Sequence, residues 1–268
     1  MEKIIRLSKS SISNSDINDV VKVLKKEYLG MGDEVVKFEH LLKKFFKRDV
    51  VCVANGTAAL QLSLEAIGLK KNDQILVPSI TFLSTFQSVK AAQGTPIPCD
   101  VEINNMSIDL IDAEKKITSK TKAIIPVHYA GNTGNLDKVY KLAKKYKIRV
   151  IEDAAHAFGS KYKNKKIGSF GDIVCFSFDG IKNITSGEGG CVVTKDKKVL
   201  NNIKISRVLG IKKNIKNNLK FEVHKQGWRY HMSNIMAAIG ISQLKRSKVL
   251  FKKRQFLAKK YDKLLKKN

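Results

Sequence analysis

The 268-residue sequence has few acidic residues, and it lacks a long apolar run. No segment comes near the ~18 consecutive apolar residues that a membrane-spanning helix needs, and the amino terminus lacks the apolar stretch of a secretory signal. With 43% hydrophobic and 28% charged residues, the chain has the balance of a globular protein. These features exclude a membrane protein, a secreted miniprotein and a disordered tail. We therefore expect a soluble, cytoplasmic protein with one large domain and at most part of another.

Cysteine is also scarce, with four residues spread widely along the sequence. Cys52, Cys99, Cys175 and Cys191 show no CxxC spacing and no neighbouring histidine at a metal-ligand spacing. Each lies in a short apolar run that is typical of a strand. The sequence therefore predicts buried free thiols, with neither a zinc site nor a disulfide.

The shortage of acidic residues leaves a net charge of +27. Such an excess can attract nucleic acid, acidic membranes or anionic small molecules. Because the basic residues are spread along the chain and no recognition motif accompanies them, we favour a solvated lysine-rich surface, and we expect neither a nucleic-acid nor a membrane partner. In the most basic segment, 245–268, Leu250, Leu257, Tyr261 and Leu264 recur on one helix face, which predicts a docking helix.

Short apolar runs alternate with helical patterns from about residue 50. The predicted strands are 50–54, 74–77, 96–99, 122–127, 148–152, 173–178 and 190–194, and the predicted helices between them are 57–68, 83–93, 109–118 and 134–146. This alternation predicts an α/β fold with a mostly parallel, seven-stranded sheet between helices. The four prolines, which fall between residues 78 and 126, are expected at strand ends.

The chain divides by pattern into three parts. Residues 1–48 are predicted to form an N-terminal helical segment, and 49–205 a large ligand-binding domain. Residues 206–268 form a mostly helical segment, which we expect to lead into a C-terminal domain that is largely missing.

Chemistry-bearing residues follow several predicted strands, and ligands bind beyond the carboxyl ends of strands in open α/β sheets. Gly56 and Thr57 stand at a strand–helix junction, where glycine permits close backbone approach and Thr57 can cap the helix and face an anion such as phosphate. A simple helix cap is the alternative. Asp153 ends an apolar strand, where a carboxylate needs a cation or several donors. It could hold a metal, orient a histidine, pair with a protonated heterocyclic nitrogen, or merely cap a following helix.

A lysine and an aromatic residue occupy comparable positions. Lys182 follows an apolar strand that contains Ser177, five residues earlier, and desolvation there would make its amine a nucleophile. A surface lysine in a glycine-rich turn is the alternative. Phe82 sets a ring at another strand end, where a plain core phenylalanine is the alternative. A phosphate cradle, an aromatic plate, a carboxylate and a lysine are together the parts of a pyridoxal 5′-phosphate (PLP) site.

On these motifs the sequence closely resembles the DegT/DnrJ/StrS-type sugar aminotransferases, which have the type I, aspartate aminotransferase-like PLP fold. The likeness runs from about residue 10 to residue 268. The matching motifs are Asn55–Leu60, Pro78–Phe82, Pro126–Gly131, Glu152–Ala157, Gly168–Asp172 and Lys182–Gly190.

The resemblance implies two catalytic residues. Lys182 would bond covalently to PLP as a Schiff base and then shuttle a proton, and Asp153 would keep the pyridine nitrogen protonated. Relatives that perform dehydration carry histidine at the lysine position, so Lys182 favours transamination. The resemblance also assigns cofactor contacts beyond these two residues: Phe82 stacks on the ring, His156 lies near its O3′ atom, and Gly56, Thr57 and Ser177 hold the phosphate.

The chain departs from the family pattern in two places. Many members have Gly-Tyr-Asn-x-Arg-Met where residues 227–232 read Gly-Trp-Arg-Tyr-His-Met, so Arg229 replaces an asparagine that usually reaches the partner subunit's cofactor phosphate. Arg229 would contact that phosphate in a homodimer, or else face phosphates of the substrate. Members also continue into a C-terminal domain, whereas this sequence stops in a helical pattern at 264–268.

The resemblance implies transfer of an amino group from an amino acid, with glutamate favoured, to a nucleotide-linked keto-sugar. Such a reaction serves surface polysaccharide, lipopolysaccharide or amino-sugar biosynthesis. Loops 28–33 and 209–226 would influence the choice of sugar. The alternative is a truncated, catalytically silent homologue that binds PLP or regulates another protein.

Overall fold

The computed structural model describes residues 8–213 and 221–265. The helices are α1 (Asn14–Lys25), α2 (Asp33–Phe46), α3 (Gly56–Ala66), α4 (Leu83–Ala91), α5 (Leu110–Lys115), α6 (Leu136–Tyr146), α7 (Lys197–Ser206), α8 (Asn234–Lys245) and α9 (Ser247–Leu265). The strands are β1 (Asp49–Val53), β2 (Gln74–Pro78), β3 (Thr95–Cys99), β4 (Thr121–Ile124), β5 (Arg149–Asp153), β6 (Lys161–Tyr162), β7 (Lys165–Lys166), β8 (Ile173–Ser177), β9 (Gly190–Thr194), β10 (Ile211–Lys213) and β11 (Phe221–Val223).

Seven strands form one sheet in the order β1-β9-β8-β5-β4-β2-β3. Strand β9 runs antiparallel to both of its neighbours, and every other pair in the sheet is parallel. The predicted mostly parallel, seven-stranded sheet is therefore confirmed, with strand boundaries within a few residues of those expected. Because all strands except β9 point the same way, their carboxyl ends share one edge of the sheet, where ligands bind in such folds.

The prolines correct one detail of the prediction. Pro78 ends β2, but Pro96 and Pro98 lie inside β3 rather than at its ends. Strand β3 is the last strand of the sheet and pairs only with β2. An edge strand tolerates proline because amide groups on its free side need no ladder partner.

Helix α3 is buried on nearly all sides, and it sets the site's position. Its sequence is apolar around most of the helix, with Leu60, Leu62 and Leu64 all almost fully buried, as expected for a helix enclosed by protein. It packs on strands β5, β8 and β9 and on helices α4 and α7. Its N-terminus consequently lies at the carboxyl edge of the sheet.

The N-terminal helices α1 and α2 pack against α8 rather than standing apart. Phe38 of α2 lies so close to Gly240 of α8 that a Cβ atom there would meet its ring at 2.6 Å. On the same side, Phe46, Phe158 and Phe176 form part of an aromatic cluster with centroids 4.9–5.6 Å apart. This packing joins residues before β1 to the face of the large sheet.

Of the predicted docking face of the C-terminal helix α9, only the first residue is buried. Leu250 is buried, whereas Leu257, Tyr261 and Leu264 of the predicted docking face are exposed. Docking of that face stays a prediction. The end of the helical pattern at 266–268 and the central part of the 209–226 loop, 214–220, lie outside the described residues.

The four cysteines are buried and free, as predicted. Burial raises the pKa of Cys99 to about 11, so its thiol stays protonated and unreactive near neutrality. In the described parts of the chain, no helix has the length and apolar character to cross a membrane.

Candidate active site

A cavity of about 430 Å³ opens at the carboxyl edge of the sheet, beside the N-terminus of α3. Its lining includes all of the predicted site residues except Arg229: Gly56, Thr57, Phe82, Asp153, His156, Ser177 and Lys182. These residues come from five separate stretches of sequence. The fold therefore brings together in space what the sequence shows only as dispersed motifs.

The start of α3 is arranged to receive an anion. The cap of the helix is Asn55, whose side-chain oxygen accepts a hydrogen bond from the amide of Ala58 at 2.8 Å. The expectation that Thr57 caps the helix is therefore wrong, because Thr57 already lies inside the first turn. The first turn of α3 carries no acidic residue, which leaves the positive end of the helix dipole free for a phosphate.

Gly56 allows α3 to approach the end of β8 closely. A Cβ atom on Gly56 would lie 2.9 Å from the Cβ atom of Ser177 and 3.3 Å from its hydroxyl oxygen. The amide groups of the first helical turn and the Ser177 hydroxyl therefore share one small space. This narrow, donor-rich space fits a phosphate group.

Asp153 ends β5 with its carboxylate in the cavity and is 5% exposed. One oxygen accepts from the hydroxyl of Thr85 at 2.8 Å and the other from the amide of Ala155 at 3.2 Å. The alternative in which Asp153 caps a following helix is wrong, because a turn rather than a helix follows β5. Thr85, which also bonds Thr81 at 2.7 Å, is a supporting residue that sequence reasoning missed.

His156 lines the cavity and interacts with the backbone. Its Nδ1 atom accepts from the amide of Ala130 at 3.3 Å, and its ring meets that of Tyr129 edge-on at 6.0 Å. Burial lowers the pKa of His156, the positive charge of Lys182 lowers it further, and the negative charge of Asp153 opposes the shift. A neutral imidazole is therefore favoured here.

Lys182 lies half-buried in a turn after β8 and lines the cavity, which favours the functional interpretation over a lysine in a surface turn. Its amide donates to the carbonyl of Asp179 at 3.0 Å. Glu188, on the glycine-rich return, lines the same cavity and was not predicted. Burial and the charge of Asp179 raise the pKa of Glu188.

The other two predicted residues are exposed. Phe82 is 73% exposed at the start of α4 and lines the cavity, so the alternative of a core phenylalanine is wrong. Arg229 lies outside the cavity lining and is also exposed. Its segment is fixed by backbone contacts, with a bridge to Val208 and a 2.7 Å bond from the amide of Ala54 to the carbonyl of Tyr230. Its contact with a partner subunit stays a prediction.

A buried polar group beside the cavity was missed altogether. Glu152 and His128 are both fully buried and meet at 2.8 Å, and the hydroxyl of Tyr140 donates to Glu152 at 2.6 Å. Burial and the Glu152 charge raise the pKa of Tyr140. Gly171 allows this close packing, because a Cβ atom there would lie 2.3 Å from a Glu152 oxygen. A glutamate inside an apolar strand was the available signal.

The donor set fits PLP. The helix N-terminus and Ser177 match a phosphate, Asp153 matches a protonated ring nitrogen, and the Lys182 amine matches an aldehyde carbon. A mostly parallel seven-stranded sheet with these groups at its carboxyl edge has the architecture of the type I PLP sugar aminotransferases.

Comparison with known proteins gives the same answer. The chain belongs to the DegT/DnrJ/EryC1/StrS aminotransferase family, whose model matches residues 10–268. It is 39% identical over 242 residues to GDP-perosamine synthase of Escherichia coli O157:H7, which covers 87% of this chain and 63% of that protein. The chain thus spans about two thirds of the length of this curated relative.

Solved structures share the fold. PseC of Helicobacter pylori, described as an aminotransferase involved in the biosynthesis of pseudoaminic acid, superposes with a TM-score of 0.94 at 32% identity, over 99% of this chain and 72% of that one. The Spr1654 protein of Streptococcus pneumoniae in its PMP form, where PMP is pyridoxamine phosphate, gives 0.93 at 27% identity, over 97% of this chain and 72% of that one. The same Spr1654 protein has also been solved in a PLP form.

Proposed function

We propose that this chain is a PLP-dependent aminotransferase that moves an amino group from an amino acid to a nucleotide-linked keto-sugar. The observation that carries the proposal is the single cavity lined by the first turn of α3, Asp153 and Lys182. Each of these groups has a defined role in such a reaction. In a site without PLP chemistry, these three groups would have no reason to share one cavity.

Each residue of the cavity has a role that follows from its position. The amides of Gly56 and Thr57 and the hydroxyl of Ser177 bind the phosphate. Asp153, oriented by Thr85, holds a proton at the pyridine nitrogen. Bound PLP supplies an aldehyde carbon and a ring that accepts electrons.

The remaining side chains control orientation and proton movement. Phe82 would cover one face of the ring, and a neutral His156 would lie near the ring oxygen. The Lys182 amine would hold the cofactor through its aldehyde carbon, and it would move a proton from the α-carbon of the amino donor to that carbon. Catalysis would thus depend on keeping the Lys182 amine within reach of the α-carbon of the donor and of the aldehyde carbon of the cofactor.

The substrate assignment rests on the relatives and on charge. The names of the E. coli and H. pylori proteins refer to amino sugars. A net charge of +27 suits an anionic nucleotide sugar. Glutamate is the proposed donor, and surface polysaccharide or lipopolysaccharide synthesis in the cytoplasm the proposed setting. Arg229 would reach the cofactor phosphate of the second subunit in a homodimer.

The direct test compares the 268-residue chain with its Lys182→Ala variant and with Lys195→Ala, which removes an exposed lysine. With added PLP, the chain and the control are expected to show the absorbance band of a PLP–lysine bond, and Lys182→Ala to lack it. Glutamate is then expected to convert the cofactor to PMP and release 2-oxoglutarate. A band that Lys182→Ala leaves unchanged contradicts the proposal. A Lys182-dependent band without glutamate conversion identifies the silent PLP-binding homologue.

A further inference from the structure

The C-terminal helix α9 reaches the turn that carries Lys182. The guanidinium of Arg254 donates one hydrogen bond to the carbonyl of Lys182 and a second to the carbonyl of Asn183, each 3.0 Å long. Across residues 8–213 and 221–265, no other donor bonds either carbonyl. The two bonds therefore come from one planar cation on a different element of the fold.

The part of α9 that presents Arg254 is fixed to the large sheet. Leu250 is buried in the core, and the ring of Phe251 lies 6.2 Å from that of Phe158. A Cβ atom on Gly159 would meet the Phe251 ring at 2.6 Å, so the glycine is what lets this ring pack against the backbone. Arg254 follows these anchors by three and four residues, which places it on the same side of the helix.

The turn itself is also held by the segment that follows β5. The side-chain amide of Asn183 donates to the carbonyl of Phe158 at 2.9 Å, in the segment that follows β5. The amide of Lys182 bonds Asp179. Arg254 thus completes a set of restraints around the backbone of Lys182.

We infer that Arg254 is a positioning residue for Lys182, an inference that rests on the proposed function. A bidentate guanidinium fixes direction as well as distance, so it holds the backbone from which the reactive amine extends. Without it, both carbonyls lose their charged donor and the turn gains freedom. A nucleophile displaced by about 1 Å reacts up to roughly 100-fold more slowly.

The experiment separates two events: the formation of the bond between PLP and Lys182, and the binding of the phosphate group by the first turn of α3 and Ser177, which we call the cradle. The rate of PLP–lysine bond formation is followed by absorbance, and the affinity for PMP, which has no aldehyde, is measured by titration calorimetry. Arg254→Met is expected to slow bond formation by about 10- to 100-fold while PMP affinity stays within about twofold, because the α3 cradle and Asp153 are untouched. Methylguanidinium in solution is expected to restore part of the rate.

Two further variants complete the test. Lys253→Met removes the same charge from the neighbouring exposed position and is expected to leave both quantities unchanged. Arg254→Lys keeps the charge with a single donor group and is expected to lie between the chain and Arg254→Met.

The outcomes are distinguishable. Unchanged bond formation in Arg254→Met, or an equal loss of PMP affinity and bond formation without rescue, overturns the positioning role and leaves the proposed function standing. Absence of any Lys182-dependent PLP bond in the unmodified chain overturns both.

Discussion

Two adjacent carboxylates at the end of β5 face two different regions of the molecule. Side chains alternate along a strand, so Glu152 and Asp153 point to opposite faces of the sheet. Glu152 is fully buried and contacts His128 and Tyr140. Asp153 contacts Thr85 and lines the open cavity. The comparison teaches that two neighbouring acids of one strand can have opposite surroundings: the carboxylate of Glu152 is enclosed by its partners, and that of Asp153 is open to a ligand.

The largest expected effect is on stability, at Glu152. Glu152→Ala leaves His128 and the Tyr140 hydroxyl buried without their shared acceptor, and we expect it to lower the free energy of unfolding by about 3–5 kcal/mol. Urea denaturation measures this loss. A change below about 1 kcal/mol would show that the buried group does not stabilise the fold.

Asp153→Asn, by contrast, is expected to reduce the reaction rate strongly and to change stability little. The side-chain oxygen of asparagine can still accept from the amide of Ala155 while its NH2 group donates to the Thr85 hydroxyl, so stability should change by less than about 1 kcal/mol. The neutral group no longer holds a proton at the ring nitrogen, and the rate of the glutamate half-reaction should fall roughly 100-fold. Stopped-flow absorbance gives this rate. A variant as fast as the unmodified chain would remove Asp153 from the proposed mechanism.

Gly56→Ala tests the cradle at the edge of the cavity. The new methyl group would meet Ser177 at 2.9 Å, and separating α3 from β8 should cost about 1–3 kcal/mol of stability. We expect PLP affinity to fall about tenfold, equivalent to about 1.4 kcal/mol. Gly30→Ala is the matched control, because a Cβ atom at Gly30 meets nothing within 4 Å. Equal effects of the two substitutions would contradict a cradle at Gly56.

The smallest effect concerns the pH dependence of stability at His156. Its folded-state pKa is lowered, first by burial and then by Lys182, so on acidification the unfolded chain takes up this proton first. Stability should therefore fall as the pH drops below about 6.5, the usual histidine value. The His156→Gln variant should show a weaker fall in thermal melts from about pH 8 to about pH 5. An identical slope in both proteins would contradict the assignment.

Much of the fold follows from local pattern. Apolar runs predicted all seven strands of the large sheet, and the helix patterns between them predicted α3 to α6. Pro96 and Pro98 were misplaced, because only the pairing of strands shows that β3 lies at an edge. The spacing of Leu257 and Tyr261 also could not show that both are exposed in this structure. An apolar helix face predicts a contact but does not show where the contacting surface lies.

The site was predictable where a residue type carries its own chemistry. Lys182 and Asp153 stood out as charged groups beside apolar strands, and both line the cavity. Thr85 and Arg254 gave no such signal, because a threonine or an arginine in a helix is ordinary until its hydrogen-bond partner is known.

The sequence by itself determined the class of fold, the family and the candidate site residues, because hydrophobic periodicity and motif order can be read along the chain. Only the tertiary structure decided that Glu152 belongs to a buried polar group, that Asn55 rather than Thr57 caps α3, and that α9 contacts the turn of Lys182. These features depend on contacts between residues far apart in the chain, and such contacts exist only once the backbone has folded.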